Sequence, residues 1–179
     1  MGVTNFDTVA ADALRIGGAA LGASAAELNK LDGIAAPAGL VVAEEVLYTE
    51  NGAGTYAGSV TVPAGATILD IKVRSTVLWA AATSAAMEVG DVTDPDGWFT
   101  AIDLKATDLL VGEEISFDQT GGKQGAYLNN TTGLRSAAYA ATARVITGSV
   151  VSVGAGTTGR TRMLVLYTLP ATVANAVKA

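Results

Sequence analysis

Residues 67–79 read Thr-Ile-Leu-Asp-Ile-Lys-Val-Arg-Ser-Thr-Val-Leu-Trp. Leu69, Ile71, Val73 and Ser75 fall on one face, and Ile68, Asp70, Lys72 and Arg74 on the other. A period of two is what a half-buried strand requires, because successive Cβ atoms point to opposite sides of a sheet. Upstream, Pro63-Ala64-Gly65-Ala66 reads as a turn, and Thr55–Val62 sets Tyr56, Gly58, Val60 and Val62 against small or polar neighbours. Leu40–Thr49 is apolar at both ends, with Glu44-Glu45 between. Downstream, Ala86–Val92, Trp98–Leu104, Glu113–Asp118, Ala143–Val153 and Arg162–Leu169 are further strand segments. Residues 80–86 fit a loop or a single helical turn, and residues 119–134 a long loop or projecting hairpin. Short strands parted by Gly, Pro and Asp turns, with no long amphipathic helix, predict a mainly β domain over residues 40–179, a β-sandwich or jelly roll.

Residues 1–39 differ. They are rich in Ala and Gly and close on Gly33-Ile-Ala-Ala-Pro37-Ala-Gly39, which reads as a linker. Within this extended arm lies one helix signal. Ser24 can cap, Glu27 completes a capping box, Leu28 and Leu31 share a face, and Gly33 tolerates the positive φ that ends a helix. Two turns are well below the ~12–15 residues at which isolated helices become marginal. The helix must therefore lean on its own domain or on a partner.

The composition excludes much chemistry. The chain of 179 residues has no cysteine and no histidine. Disulfides, thiolate nucleophiles and imidazole bases are ruled out, as are zinc sites of Cys or His. No stretch approaches the ~20 apolar residues of a membrane helix. The opening MGVTNFDTVAADALRIGG lacks the basic-then-apolar order of a secretory signal, and Phe6 stands where myristoylation wants Ser or Thr. The net charge of -6 disfavours nucleic acid and anionic membrane as partners. All 17 acids lie in residues 1–120, whereas residues 121–179 hold six bases, Lys123, Arg135, Arg144, Arg160, Arg162 and Lys178. Those bases either pair with acidic strands inside one fold or, through Arg135, Arg144, Arg160 and Arg162, form a docking face for an acidic partner.

Other clusters are weighed in turn. Asp91, Asp94 and Asp96, followed by Gly97, could offer oxygens to Ca²⁺, but Asp-Pro-Asp-Gly is also ordinary turn chemistry. A structural turn is expected there, not a metal site. Adjacent acids at Glu44-Glu45 and Glu113-Glu114 point to opposite faces of a strand and do not converge, so no acid–base pair is expected. They suit an edge that must discourage strand addition. Gly154-Ala-Gly156-Thr-Thr-Gly159-Arg160 lies between strands without a following helix or Walker lysine, so a hairpin is expected rather than a phosphate loop. No catalytic residue and no cofactor emerge.

A family resemblance adds to this. Ala23-Ser-Ala-Ala-Glu27-Leu28-Asn29-Lys30-Leu31-Asp32-Gly33 resembles the TAAELNxLDG element of structural proteins of tailed bacteriophages, among them tail fibres, head fibres and capsid decoration proteins. The opening from Asn5 to Gly18, and the runs VPAGATILDIKV and EVGDVTDPDGWF, are similar to parts of such proteins. Fibres usually repeat the element; here it occurs once, which favours a compact accessory protein. The resemblance implies a place in the virion, assembly into trimers and a partner in the capsid or tail; the first expectation drawn from it is a homotrimeric decoration protein at the capsid surface with the major capsid protein as partner. The arm residues Leu14, Ile16, Leu28 and Leu31 are then the expected partner-binding set. The other reading it leaves is a head- or tail-fibre module whose loop at 119–134 binds a host surface glycan.

Overall fold

The computed structural model describes residues 15–16, 19–20, 41–105, 107–129 and 134–169. The chain divides into two units, Met1–Ala35 and Ala36–Ala179. In the first, β1 (Arg15–Ile16) pairs antiparallel with β2 (Ala19–Ala20). The helix expected from Ser24 onward lies outside the described residues.

Among its described residues the second unit holds eight strands: β3 (Val41–Thr49), β4 (Gly54–Val62), β5 (Thr67–Val77), β6 (Ser84–Gly90), β7 (Phe99–Asp103), β8 (Glu114–Ile115), β9 (Arg144–Val153) and β10 (Arg160–Thr168). They form two antiparallel sheets, ordered β3-β10-β5-β8 and β4-β9-β6-β7. Counted from β3 these orders are 1-8-3-6 and 2-7-4-5, the connectivity of a jelly roll. The chain passes from one sheet to the other at every connection except β6 to β7. The connection from Gly154 to Gly159 is therefore not the expected hairpin. It crosses between the sheets, because β10 pairs with β3 and β5 rather than with β9.

Alternation puts one face of each strand inside. Tyr48, Ile71, Val73, Met163 and Val165 of the first sheet meet Val60, Met87, Val89, Ile146 and Val150 of the second. Removing these side chains from water is the main stabilising term, at about 25 cal/mol per Å² of apolar surface. The Pro63–Ala66 turn forms as read, with Ala66 N donating to Pro63 O at 3.2 Å and Gly65 at φ 76°.

β5 departs from clean alternation at two places, at Thr76, opposite Arg160 and Thr161, and near its start. Leu166 faces Asp70 but Tyr167 faces Ile68, which leaves Leu69 as the extra residue of a bulge. The bulge exchanges the two faces. Ile68 is 1 % exposed and Leu69 is 39 % exposed, the reverse of an unbroken period of two.

The expected strand at 113–118 shrinks to β8. Beyond it Ser116 N donates to Gln119 O and Phe117 N to Asp70 Oδ1, so the chain turns away. The described part of 119–134 does not project. Thr100 N donates to Lys123 O, Gly125 N to Trp98 O and Tyr127 N to Gly97 O, which lays the segment along β7.

Candidate interaction surfaces

The two sheets turn different outer faces to solvent. On the first, β10 directs Arg162 outward beside Leu47 of β3 and Arg74 of β5. Arg162 pairs with Glu45, and Glu114 of β8 takes both Lys72 (2.6 Å) and Arg74 (2.5 Å). The hydrogen bond from Lys72, more than any other influence, holds the Glu114 carboxyl below its usual range, and the same bond raises Lys72. Glu44 is held by the hydroxyl of Tyr167.

Beside this face opens a cleft of about 640 Å³ lined by Asp70, Lys72, Asp108, Glu113, Glu114 and Asp118. Burial pushes the Asp108 carboxyl up, but the Lys123 ammonium at 2.7 Å and the amide of Asp103 outweigh it, so its pKa is lowered. Acid–base catalysis by two carboxylates needs one held protonated and one ionised. Here Asp108 and Glu114 are both driven toward the ionised form.

The second sheet presents Thr55, Ala57, Ser59 and Thr61 from β4. Alongside them lie the outward side chains of β9, from Val145 to Val153. No formal charge occurs on these two strands' outer positions; Glu88 and Asp103 lie farther across the sheet on β6 and β7. A shallow apolar pocket of about 330 Å³ adjoins them, between Val145 and the loop bearing Val92, which is 96 % exposed.

The aspartate cluster is organised by Asp91, itself 6 % exposed. Its Oδ1 accepts hydrogen bonds from Thr93 N (2.9 Å), Asp94 N (3.2 Å) and the Tyr127 hydroxyl (3.0 Å). The Arg144 guanidinium lies 3.8 Å from Oδ2 and 5.7 Å from the Trp98 ring centre. Burial, then Asp91, pushes the Tyr127 phenol up to about 12. Asp94 is raised by its hydrogen bond with Asp96, then by burial and by the charges of Asp96 and Asp91. Asp91 thus closes an Asx turn and faces a cation, Arg144. Among the described residues no three acidic side chains converge to hold a metal.

The four arginines singled out from the sequence do not form one patch. Arg160 and Arg162 share the outer face of β10, close to Arg74. Arg144 turns to Asp91 and Trp98. Arg135 donates to Leu69 O (2.8 Å), lies over the Phe117 ring at 4.8 Å and stands 3.9 Å from Asp118. Of the arm residues, Ile16 lies in β1 opposite Ala19, and Leu14, Leu28 and Leu31 fall outside the described residues.

Glu50 escaped the sequence reading. It is 2 % exposed, and its Oε2 accepts from the amides of Ala80 (2.9 Å), Thr158 (3.2 Å) and Gly159 (3.0 Å). Burial works against its charge, but these amides and that of Ala81 together hold its pKa below the usual value. It clamps the ends of β3, β5 and the 154–159 crossing. Nothing local signals this, since its partners lie thirty and more than a hundred residues away.

No protein-family model matches the chain, and no curated protein matches it. Solved structures do. A chain in the acidic stable capsid structure of Helicobacter pylori bacteriophage KHP30 aligns with a TM-score of 0.53 at 17 % identity, over 76 % of this chain and 93 % of that one. A chain of the cyanophage Pam1 capsid asymmetric unit gives 0.48 at 22 % identity, over 75 % and 88 %. One from the capsid of Ralstonia phage GP4 gives 0.45 at 18 %, over 76 % and 88 %. The likeness is one of fold, and the first of the three carries it.

Proposed function

We propose that the chain is a non-catalytic structural component of a bacteriophage virion. More narrowly, we read it as a decoration or cement protein on the capsid surface that binds the major capsid protein through residues 1–39 and assembles as a homotrimer. The observation that carries this reading is the jelly-roll likeness to a chain from a phage capsid, spanning nearly all of that chain. The resemblance of Ala23–Gly33 to an element of phage structural proteins supports it as well. So does the pairing of the cleft carboxylates with Lys72, Arg74 and Lys123, which leaves a charged surface rather than an acid–base couple. The fibre reading relied on a projecting loop at 119–134; its first half lies along β7, which favours the decoration reading.

Cementing needs apolar burial at joints between subunits, repeated over many copies. The arm residues Leu14, Ile16, Leu28 and Leu31 are assigned to that contact, with Arg160 and Arg162 as a second, charged contact. Co-sedimentation with capsids stripped of this protein tests the assignment. Deleting residues 1–39 is expected to leave a cooperatively folding β-domain that no longer binds. Leu28→Asp weakens binding by several kcal/mol if that face is desolvated (roughly 2–5 kcal/mol). Ser24→Ala weakens it by ~1 kcal/mol. Full occupancy by the truncated domain would remove the arm as the anchor, and light scattering showing only monomers would remove the trimer.

A further inference from the structure

Among the described residues, three of the four edges of the two four-stranded sheets are blunted against strand addition. β3 carries Glu44 and Glu45 side by side. β7 shifts register against β6 between Met87 and Val89, and Gln124 bridges to its first residue, Phe99. β8 is two residues long. Charge, irregularity and shortness are the usual devices that keep an edge from recruiting another chain.

β4 has none of them. Its nine residues pair with β9 in unbroken register from Gly54↔Ser152 to Val62↔Arg144. It contains no charge and no proline. Its other edge has no strand beside it among the described residues. That edge therefore offers a row of alternating backbone donors and acceptors, flanked by small outward side chains.

We propose that β4 pairs antiparallel with β4 of a second copy, about a two-fold axis passing by Gly58. A two-fold interface must be self-complementary, and the sequence around Gly58 is. The axis sets Ala57 opposite Ser59, Tyr56 opposite Val60 and Thr55 opposite Thr61. Aromatic with β-branched and Thr with Thr are favourable cross-strand neighbours. No like charges meet. The same operation about the centre of β3 would set Glu45 against itself. Joining the β4 edges also makes the uncharged outer faces of β4 and β9 continuous between the two copies. The contact is independent of the arm docking and the three-fold assembly proposed above, and it joins copies in pairs.

The absence of cysteine makes the test clean. Directly opposed residues of an antiparallel pair have Cα atoms about 4.5–5.5 Å apart, within disulfide range. Full-length Thr55→Cys and Thr61→Cys are mixed and oxidised gently. A covalent dimer is expected from the mixture and none from either variant alone. Sedimentation velocity supplies the second measurement. Thr55→Lys with Thr61→Lys opposes lysines twice and should weaken pairing on the order of tenfold or more, whereas Thr55→Lys with Thr61→Glu opposes opposite charges and should retain it. Both positions are solvent-exposed, and thermal melts verify that each variant folds. A mixture that stays monomeric on the gel overturns the proposal. So does cross-linking of Thr55→Cys with itself, or a doubly lysine-substituted chain that associates like the parent.

Discussion

The hydroxyl of Tyr48 occupies the space that Gly148 leaves empty. Tyr48 belongs to the first sheet, and its phenol crosses the core to share its proton between Gly148 O (3.1 Å) and Gly58 O (3.0 Å) of the second. Gly58 and Gly148 face each other in register, so two adjacent side chains are missing where the ring tip arrives. A Cβ on Gly148 would strike the Tyr48 oxygen and lie 2.7 Å from Met87 Cε and 2.9 Å from Met163 Sδ. Burial pushes the phenol well above its ordinary range, so it stays a donor at any pH the fold survives.

Gly148→Ala is therefore expected to destabilise the domain by about 3 kcal/mol, at the upper end of overpacking costs. Tyr48→Phe alone should cost about 1–1.5 kcal/mol for the lost hydrogen bond. Combined, they should cost less than their sum, because removing the oxygen relieves the principal clash. Urea titrations of the three variants and the parent give the cycle, and strict additivity would show that the hydroxyl is not what the glycine accommodates.

Glu50→Ala strands the buried amide of Gly159 and removes the acceptor of the part-buried amides of Ala80 and Thr158, at roughly 3 kcal/mol. For a domain of this size that is a drop in Tm of about 6–12 °C. Hydrogen exchange should locate the loosening at residues 79–81 and 154–159, and uniform loss of protection would contradict the clamp.

The same residue carries a pH signature. The folded-state pKa values of Glu50, Asp108 and Glu114 are all lowered, so the unfolded chain binds more protons than the native one near the ordinary carboxyl values of 3.8 and 4.5. Their stabilisation is complete above those values and is lost as pH falls through the lowered ones. Glu50→Gln can keep an oxygen toward the amides but not the charge. Its melting temperature should fall less steeply than that of the parent on acidification below pH ~4.5. Parallel acid limbs in the two proteins would show that Glu50 is not among the groups responsible.

Asp91→Ala removes the acceptor of the Tyr127 hydroxyl and the counter-ion of Arg144, leaving a half-buried guanidinium beside the Trp98 ring. The expected cost is roughly 3 kcal/mol. EDTA should leave the parent's melting temperature unchanged, because the cluster is satisfied by its own amides, phenol and arginine rather than by an ion. A marked drop in EDTA that Ca²⁺ restores would reverse the assignment.

Much of the fold could be read from period-two runs, because a strand buried on one side writes its geometry directly into its side chains. Ile71, Val73 and Ser75 came out on the buried face for that reason. Leu69 did not, since a bulge is a property of two strands, and the residues that force it, Leu166 and Tyr167, are a hundred positions away. The Gly154–Gly159 crossing failed similarly: a glycine-rich link between strands looks the same whether it turns back or changes sheet. The Asp91 turn was legible because Asx turns are local, whereas Glu50 was invisible because its three donors converge only in the finished fold. The arm residues that carry the functional reading lie outside the described residues, apart from Ile16.

The last two strands of the chain are interior ones: β10 lies between β3 and β5, and β9 between β4 and β6. Among the described strands of the second unit, β6 and β7 alone both neighbour each other in a sheet and follow one another in the chain. A ribosome therefore releases β3 to β8 with their apolar faces unmatched, and neither sheet can close until the segment from Arg144 to Thr168 has emerged. Pairing across such separations is slow, because the loops must close before any contact rewards them. During that interval the growing chain is open to wrong partners. The hazard is greatest in β4, whose uncharged edge is available well before β9 arrives to occupy its other side.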